Sequence, residues 1–153
     1  MLENPHGIVQ TLITASLLLH AIAHAIALVG LTGRAASLQS ARRLFTGGWL
    51  FDYLGARRSA LILLPFWALA ALAFFASAAA SRGAIISRAD WGGLAFLGAS
   101  ISTIGIFLAG GIWPGSPSKP RAFLNTSIAM VMNIIILSAR LWLQWLPTIW
   151  IVG

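Results

Sequence analysis

Cysteine is absent from the 153 residues of this chain. Disulfides, thiolate metal sites, iron–sulfur clusters and cysteine nucleophiles are therefore excluded. Acids are scarce: three (Glu3, Asp52 and Asp90) stand against ten bases. Charged residues make up 8% of the chain, where an ordinary soluble domain carries about 25%. So few charges cannot solvate the surface of a globule this size, which rules out a water-soluble enzyme. The apolar content of 59% rules out a disordered chain.

What is present is long apolar sequence. The mean hydropathy is +0.88. Uncharged runs extend from Asn4 to Gly33, Ser59 to Ser81, Trp91 to Ser118, and Ala122 to Ala139, the last continuing past Arg140. Crossing a hydrocarbon core of about 30 Å takes about 20 residues as a helix. Helices satisfy their own backbone groups in lipid. The expectation is an all-α integral membrane protein, one domain over 1–153. Four transmembrane helices, at roughly 8–31, 59–80, 91–112 and 122–143, form an antiparallel bundle. The first run has no basic start and no convincing cleavage site, so it reads as a span and not as a secretory signal.

The net charge of +7 would point a soluble domain toward nucleic acid. Here the bases fall mostly between apolar runs, so the partner they imply is the lipid bilayer, with no nucleic acid. Arg34, Arg42, Arg43, Arg57, Arg58, Lys119 and Arg121 lie in the odd connections, and Arg82, Arg88 and Arg140 lie elsewhere. The positive-inside rule places the odd connections in the cytoplasm and both termini outside. The first connection interleaves arginines with Leu38, Leu44, Phe45, Trp49, Leu50, Phe51, Tyr53 and Leu54. That pattern suits an amphipathic segment in the headgroup layer; a docking surface for another subunit is the alternative. The third connection, Trp113 to Pro120, holds three prolines and a glycine and makes a tight reversal. The tail after Arg140 carries Trp142, Trp145 and Trp150, which favour the membrane interface.

Polar side chains inside the spans are the candidates for chemistry. In span one, Gln10, Ser16, His20 and His24 fall within an arc of about 120° at helical pitch. The plainest reading of His20 and His24 is a pair of neutral rings hydrogen-bonded to neighbouring helices. The alternatives are ligation of a haem or chlorophyll-type tetrapyrrole, a metal ion, and proton transfer or quinone hydrogen bonding. A metal site wants three or four ligands, and the acids and His6 lie at or outside the interface. No carboxylate lies at membrane depth to orient a histidine for nucleophilic catalysis.

Span four carries Thr126, Asn133, Arg140 and Gln144 on one stripe. Asn133 falls at about the depth of His20, so an Asn–His contact between spans one and four is expected. Helix-to-helix hydrogen bonding is the plain reading of Asn133, and snorkelling to headgroups that of Arg140. Gly98, Ser102, Gly105 and Ala109 give span three a stripe of small residues, read as close packing. Span two reads as an apolar run without buried polar groups, with Pro65 in its first turn.

The run Leu17-Leu18-Leu19-His20-Ala21-Ile22-Ala23-His24, with Trp113-Pro114 and Asn125 opening the last span, resembles a loose group of small bacterial four-span membrane proteins. Members carry His-x-x-x-His in the first span and an asparagine early in the fourth. Here Ala25-Ile26-Ala27 departs from their pattern after the second histidine. The resemblance implies four spans in a bacterial cytoplasmic membrane and directs attention to His20 and His24; it implies no reaction.

Two functional expectations follow. One is an accessory or scaffolding subunit of a larger respiratory or photosynthetic membrane complex, with a tetrapyrrole on His20 or His24. The other is a small proton-coupled carrier or quinone-reactive protein that uses His20, His24 and Asn133. Asn133 thus joins the two histidines as a cofactor-binding candidate. No catalytic or metal-ligating residue is identified.

Overall fold

The computed structural model describes residues 5–36, 38, 47–84 and 91–143. Within them lie α1 (Pro5–Ala35), α2 (Trp49–Leu54), α3 (Ala56–Ser81), α4 (Trp91–Leu108) and α5 (Lys119–Leu143). All but α2 are long and apolar enough to cross a membrane. The shortest of these four, α4, has 18 residues, about 27 Å at ~1.5 Å per residue. That nearly matches the hydrocarbon core. All four expected spans are present, and α1 and α3 extend several residues beyond the expected limits.

Span three ends earlier than expected, at Leu108 instead of 112. Gly110 and Gly111 have φ of 73° and 72°. The Gly110 N–H donates to the Phe107 carbonyl at 3.0 Å and the Gly111 N–H to that of Ile106 at 2.9 Å. This paired capping pattern closes a helix on a left-handed residue, which glycine adopts without penalty.

Contacts at the helix ends establish antiparallel order. Near the start of α1, Gln10 Nε2 donates to the Ser81 carbonyl at the end of α3 (2.6 Å), and the hydroxyls of Thr14 and Ser81 pair at 2.8 Å. Ser77 Oγ donates to the Trp91 carbonyl at the start of α4 (2.7 Å). α1 packs along α3, α3 along α4 and α4 along α5, while α1 and α5 stay apart along most of their length.

The connection between the first two spans contains α2. Leu50 and Phe51 are buried, whereas Trp49 and Tyr53 are exposed. Ser59 Oγ donates to the Leu50 carbonyl (2.8 Å), and Trp49 Nε1 donates to the Phe107 carbonyl (3.2 Å). Within this connection α2 turns Leu50 and Phe51 inward and is pinned to α3 and the end of α4. Residues 39–46, and the tail from Gln144 onward, lie outside the described residues.

Two expectations for span two are corrected. Because α3 begins at Ala56, Pro65 sits in the helix interior and not in its first turn. Neighbouring helices can absorb the lost backbone bond in a membrane span. Ser59, Ser77 and Ser81 are buried, so the run does carry buried polar groups. Each hydroxyl reaches a backbone carbonyl, which satisfies it at short range.

Candidate functional site

The buried apolar side chains form two clusters. One holds Leu31, Leu63, Trp67, Ile106 and Trp113; the other holds Leu17, Phe74, Ala95 and Ala99. Between them lies a polar layer of His20, His24, Ser102 and Asn133, all buried. The layer draws on α1, α4 and α5, and aromatic rings of α3 line it. The His20 ring meets Phe74 edge-on at 4.4 Å between centroids, and the two histidine rings meet at 4.7 Å. His24 packs edge-on against Trp113 at 4.9 Å.

The expected contact between spans one and four is present. His20 Nε2 lies 3.1 Å from Asn133 Oδ1. The Asn133 amide donates to Ser102 Oγ at 2.9 Å and to Thr103 Oγ1 at 3.2 Å. Ser102 Oγ lies 2.8 Å from His24 Nε2, and His24 Nδ1 lies 2.9 Å from the His20 carbonyl.

These bonds have one self-consistent set of directions with both rings neutral. A carbonyl only accepts, so His24 Nδ1 carries the proton and its Nε2 is a lone pair. The Ser102 hydroxyl donates to that lone pair. The amide oxygen of Asn133 only accepts, so His20 carries its proton on Nε2. Hydrogen bonds thus run from the His20 ring to Asn133, on to Ser102, on to His24, and back to the His20 backbone. Every donor in this circuit has an acceptor, which is what a dry interior requires. Both nitrogens of His24 are occupied. His20 Nδ1 has no hydrogen-bond partner among the described residues.

The other sequence candidates do not converge on this layer. Ser16 is exposed on α1, although the helical wheel placed it in the histidine arc. The arc is wide, and its edge faces away from α3. Gln10 is used at the helix end by Ser81. Thr126 is buried, with a hydroxyl that finds no partner among the described residues. Arg140 is exposed near the start of α4. The His6 side chain and Gln144 lie outside the described residues. Among the described residues no group of three metal-ligating side chains occurs.

Ser102 is the residue that sequence reading missed. It was assigned to the small-residue stripe of span three, and that stripe does pack closely: a Cβ on Gly105 would come within 2.6 Å of the Trp67 ring. Yet the hydroxyl at mid-depth also completes the circuit. Its only signal was a hydroxyl placed well inside a span that runs in the same direction as span one.

One pocket adjoins the layer. It has a volume of about 240 Å³ and is lined by His20, Ala23, Ile26, Trp113, Asn125, Ile128 and Ala129. It occupies the space between α1 and α5, with Trp113 at its end. No protein family, curated protein or solved structure matches the chain.

Proposed function

We propose that this chain is an accessory subunit of a larger membrane protein assembly, a scaffold and not a catalyst. The carrying observation is the closed circuit of His20, Asn133, Ser102 and His24. It ties α1, α4 and α5 together at mid-depth, and among the described residues no carboxylate or ligand cluster stands beside it. Hydrogen bonds between buried polar side chains join helices across a membrane bundle, and in some proteins such groups set which helices meet and in what register. Outside this layer the spans present Leu19, Val29, Leu72, Phe107 and Ile135 outward, a surface suited to lipid and to other apolar helices.

A tetrapyrrole does not fit this arrangement. His24 has no nitrogen left to ligate, and the His20 ring is wedged edge-on against Phe74 and His24. The adjoining pocket, about 240 Å³, has room for a single six-membered ring, since about 150 Å³ accepts benzene, and not for a four-ring macrocycle. A proton relay is also disfavoured, because the circuit returns to its own helix and opens no path to a second surface.

The reading places the chain in a bacterial cytoplasmic membrane with its termini outside. Mild detergent extraction from native membranes, followed by sizing and identification of co-purifying proteins, tests it. The expected result is a particle in which this chain stands in fixed ratio to other membrane subunits. A homogeneous particle containing this chain alone would overturn it.

A further inference from the structure

The pocket between α1 and α5 has features that a simple packing gap lacks. Its polar groups are those that the circuit leaves over. With the proton of His20 on Nε2, its Nδ1 is a free acceptor. Asn125 Nδ2 donates to Ser116 Oγ at 3.2 Å, and its Oδ1 makes no hydrogen bond among the described residues. Trp113 Nε1 makes none either, and it is not among the fully enclosed orphan atoms. The residues that line the pocket thus include two with an uncommitted acceptor and one with an uncommitted donor, beside Ala23, Ala129 and two isoleucines.

The size and opening constrain the ligand. A dry cavity of about 150 Å³ accepts a benzene ring. At about 240 Å³ this pocket holds one substituted six-membered ring and nothing much larger. Ile26 is 66% exposed and Ile128 56% exposed, so its rim belongs to the lipid-facing surface. A molecule entering there keeps an apolar tail in the bilayer and brings only its head inside.

From these features we infer that the α1–α5 pocket binds a lipid-soluble molecule with a single hydroxylated ring and an apolar tail, the hydroquinone class. Two ring hydroxyls meet the two acceptors, and a ring oxygen accepts from the Trp113 N–H. The indole and imidazole walls suit a flat ring better than a glycerol headgroup, and the proposal commits to the ring. This is a binding site only; no electron or proton transfer is assigned to it. It stands apart from the accessory reading, since binding is measured on the isolated chain.

The test titrates the purified full chain in detergent micelles with a benzohydroquinone bearing a saturated ten-carbon tail, under reducing conditions. Calorimetry and thermal unfolding give the readout. Saturable one-to-one binding is expected. Ala23→Phe, which fills the pocket, should abolish it. Asn125→Leu, at an exposed position outside the circuit, should weaken it by about tenfold, the equivalent of one lost hydrogen bond. Leu19→Phe, on the outward face of α1, should leave it unchanged. Should Ala23→Phe fail to fold, Asn125→Leu decides alone. Non-saturable partitioning, equal affinity in Asn125→Leu, or displacement by monoacylglycerol at equal concentration would each overturn the inference.

Discussion

Asn133 faces His20 across the gap between α1 and α5, whose backbones stay apart along most of their length. That single side chain accepts from α1 and donates twice to α4. It therefore serves as the link that keeps the last span registered on the first.

Asn133→Ala removes three hydrogen bonds and leaves His20 Nε2–H without an acceptor in a dry interior. Interhelical bonds in membranes contribute about 0.6 kcal/mol each on average, up to about 1.7. The expected loss is about 1–3 kcal/mol in unfolding titrated with sodium dodecyl sulfate in mixed micelles. Asn133→Leu refills the volume but not the acceptor, so it should recover only part. Wild-type stability in both variants would mean that the circuit holds nothing.

The bond directions assign opposite tautomers to the two rings: proton on Nε2 in His20, on Nδ1 in His24. Nitrogen-15 spectra of histidine-labelled protein, resolved with single His→Gln variants, should show the two neutral patterns side by side. Finding both rings protonated on Nδ1 would break the circuit between His20 and Asn133, and finding both protonated on Nε2 would break it at the His20 carbonyl.

The fold and three of the four residues of the polar layer were legible in the chain. Uncharged runs fix the spans because a charge at mid-bilayer is expensive, and spacing by four puts His20 and His24 on one face. The depth of Asn133 followed from counting residues. Ser102 was not legible as a partner, because a small residue in a packing stripe looks the same whether its hydroxyl is used or idle. The capped end of α4 was equally hidden: Gly110 and Gly111 continue an apolar run, and only their φ values show the turn.

Gly105 lets α4 lie against α3. A Cβ there would stand 2.6 Å from the fully buried Trp67 ring and 3.2 Å from the Phe66 Cβ. The Trp67 ring has no space to retreat, so Gly105→Ala should cost about 1–3 kcal/mol by overpacking. Thermal unfolding in detergent checks this; a rise in melting temperature would show that the helices separate freely.

Gly48 performs a related task at α2. Its φ of 99° is rarely open to other residues, and a Cβ there would collide with the Ala109 carbonyl oxygen. Gly48→Ala should release α2 from the end of α4, at a loss of about 1–3 kcal/mol. Faster proteolysis near Trp49 with the spans still helical is the expected pattern. Unchanged digestion would mean that the α2 contact does not hold this connection.

The bundle sorts its charges by end. Arg34, Arg57, Arg58, Lys119 and Arg121 gather where α1 stops, α3 begins and α5 begins, while Arg82 and Arg140 stand at the other end. Bases resist translocation, so the richer end should stay in the cytoplasm. The chain has no cysteine, which makes a direct check simple. An impermeant maleimide should label Ala84→Cys in intact cells, because that turn lies at the poorer end. It should label Ser118→Cys only after permeabilisation. The reverse pattern would invert the topology, and with it the leaflet toward which the Trp113 end of the α1–α5 pocket lies. Labelling of both sites in intact cells would mean that the chain inserts in two orientations, with a bias of seven bases to three along the sequence too weak to choose between them.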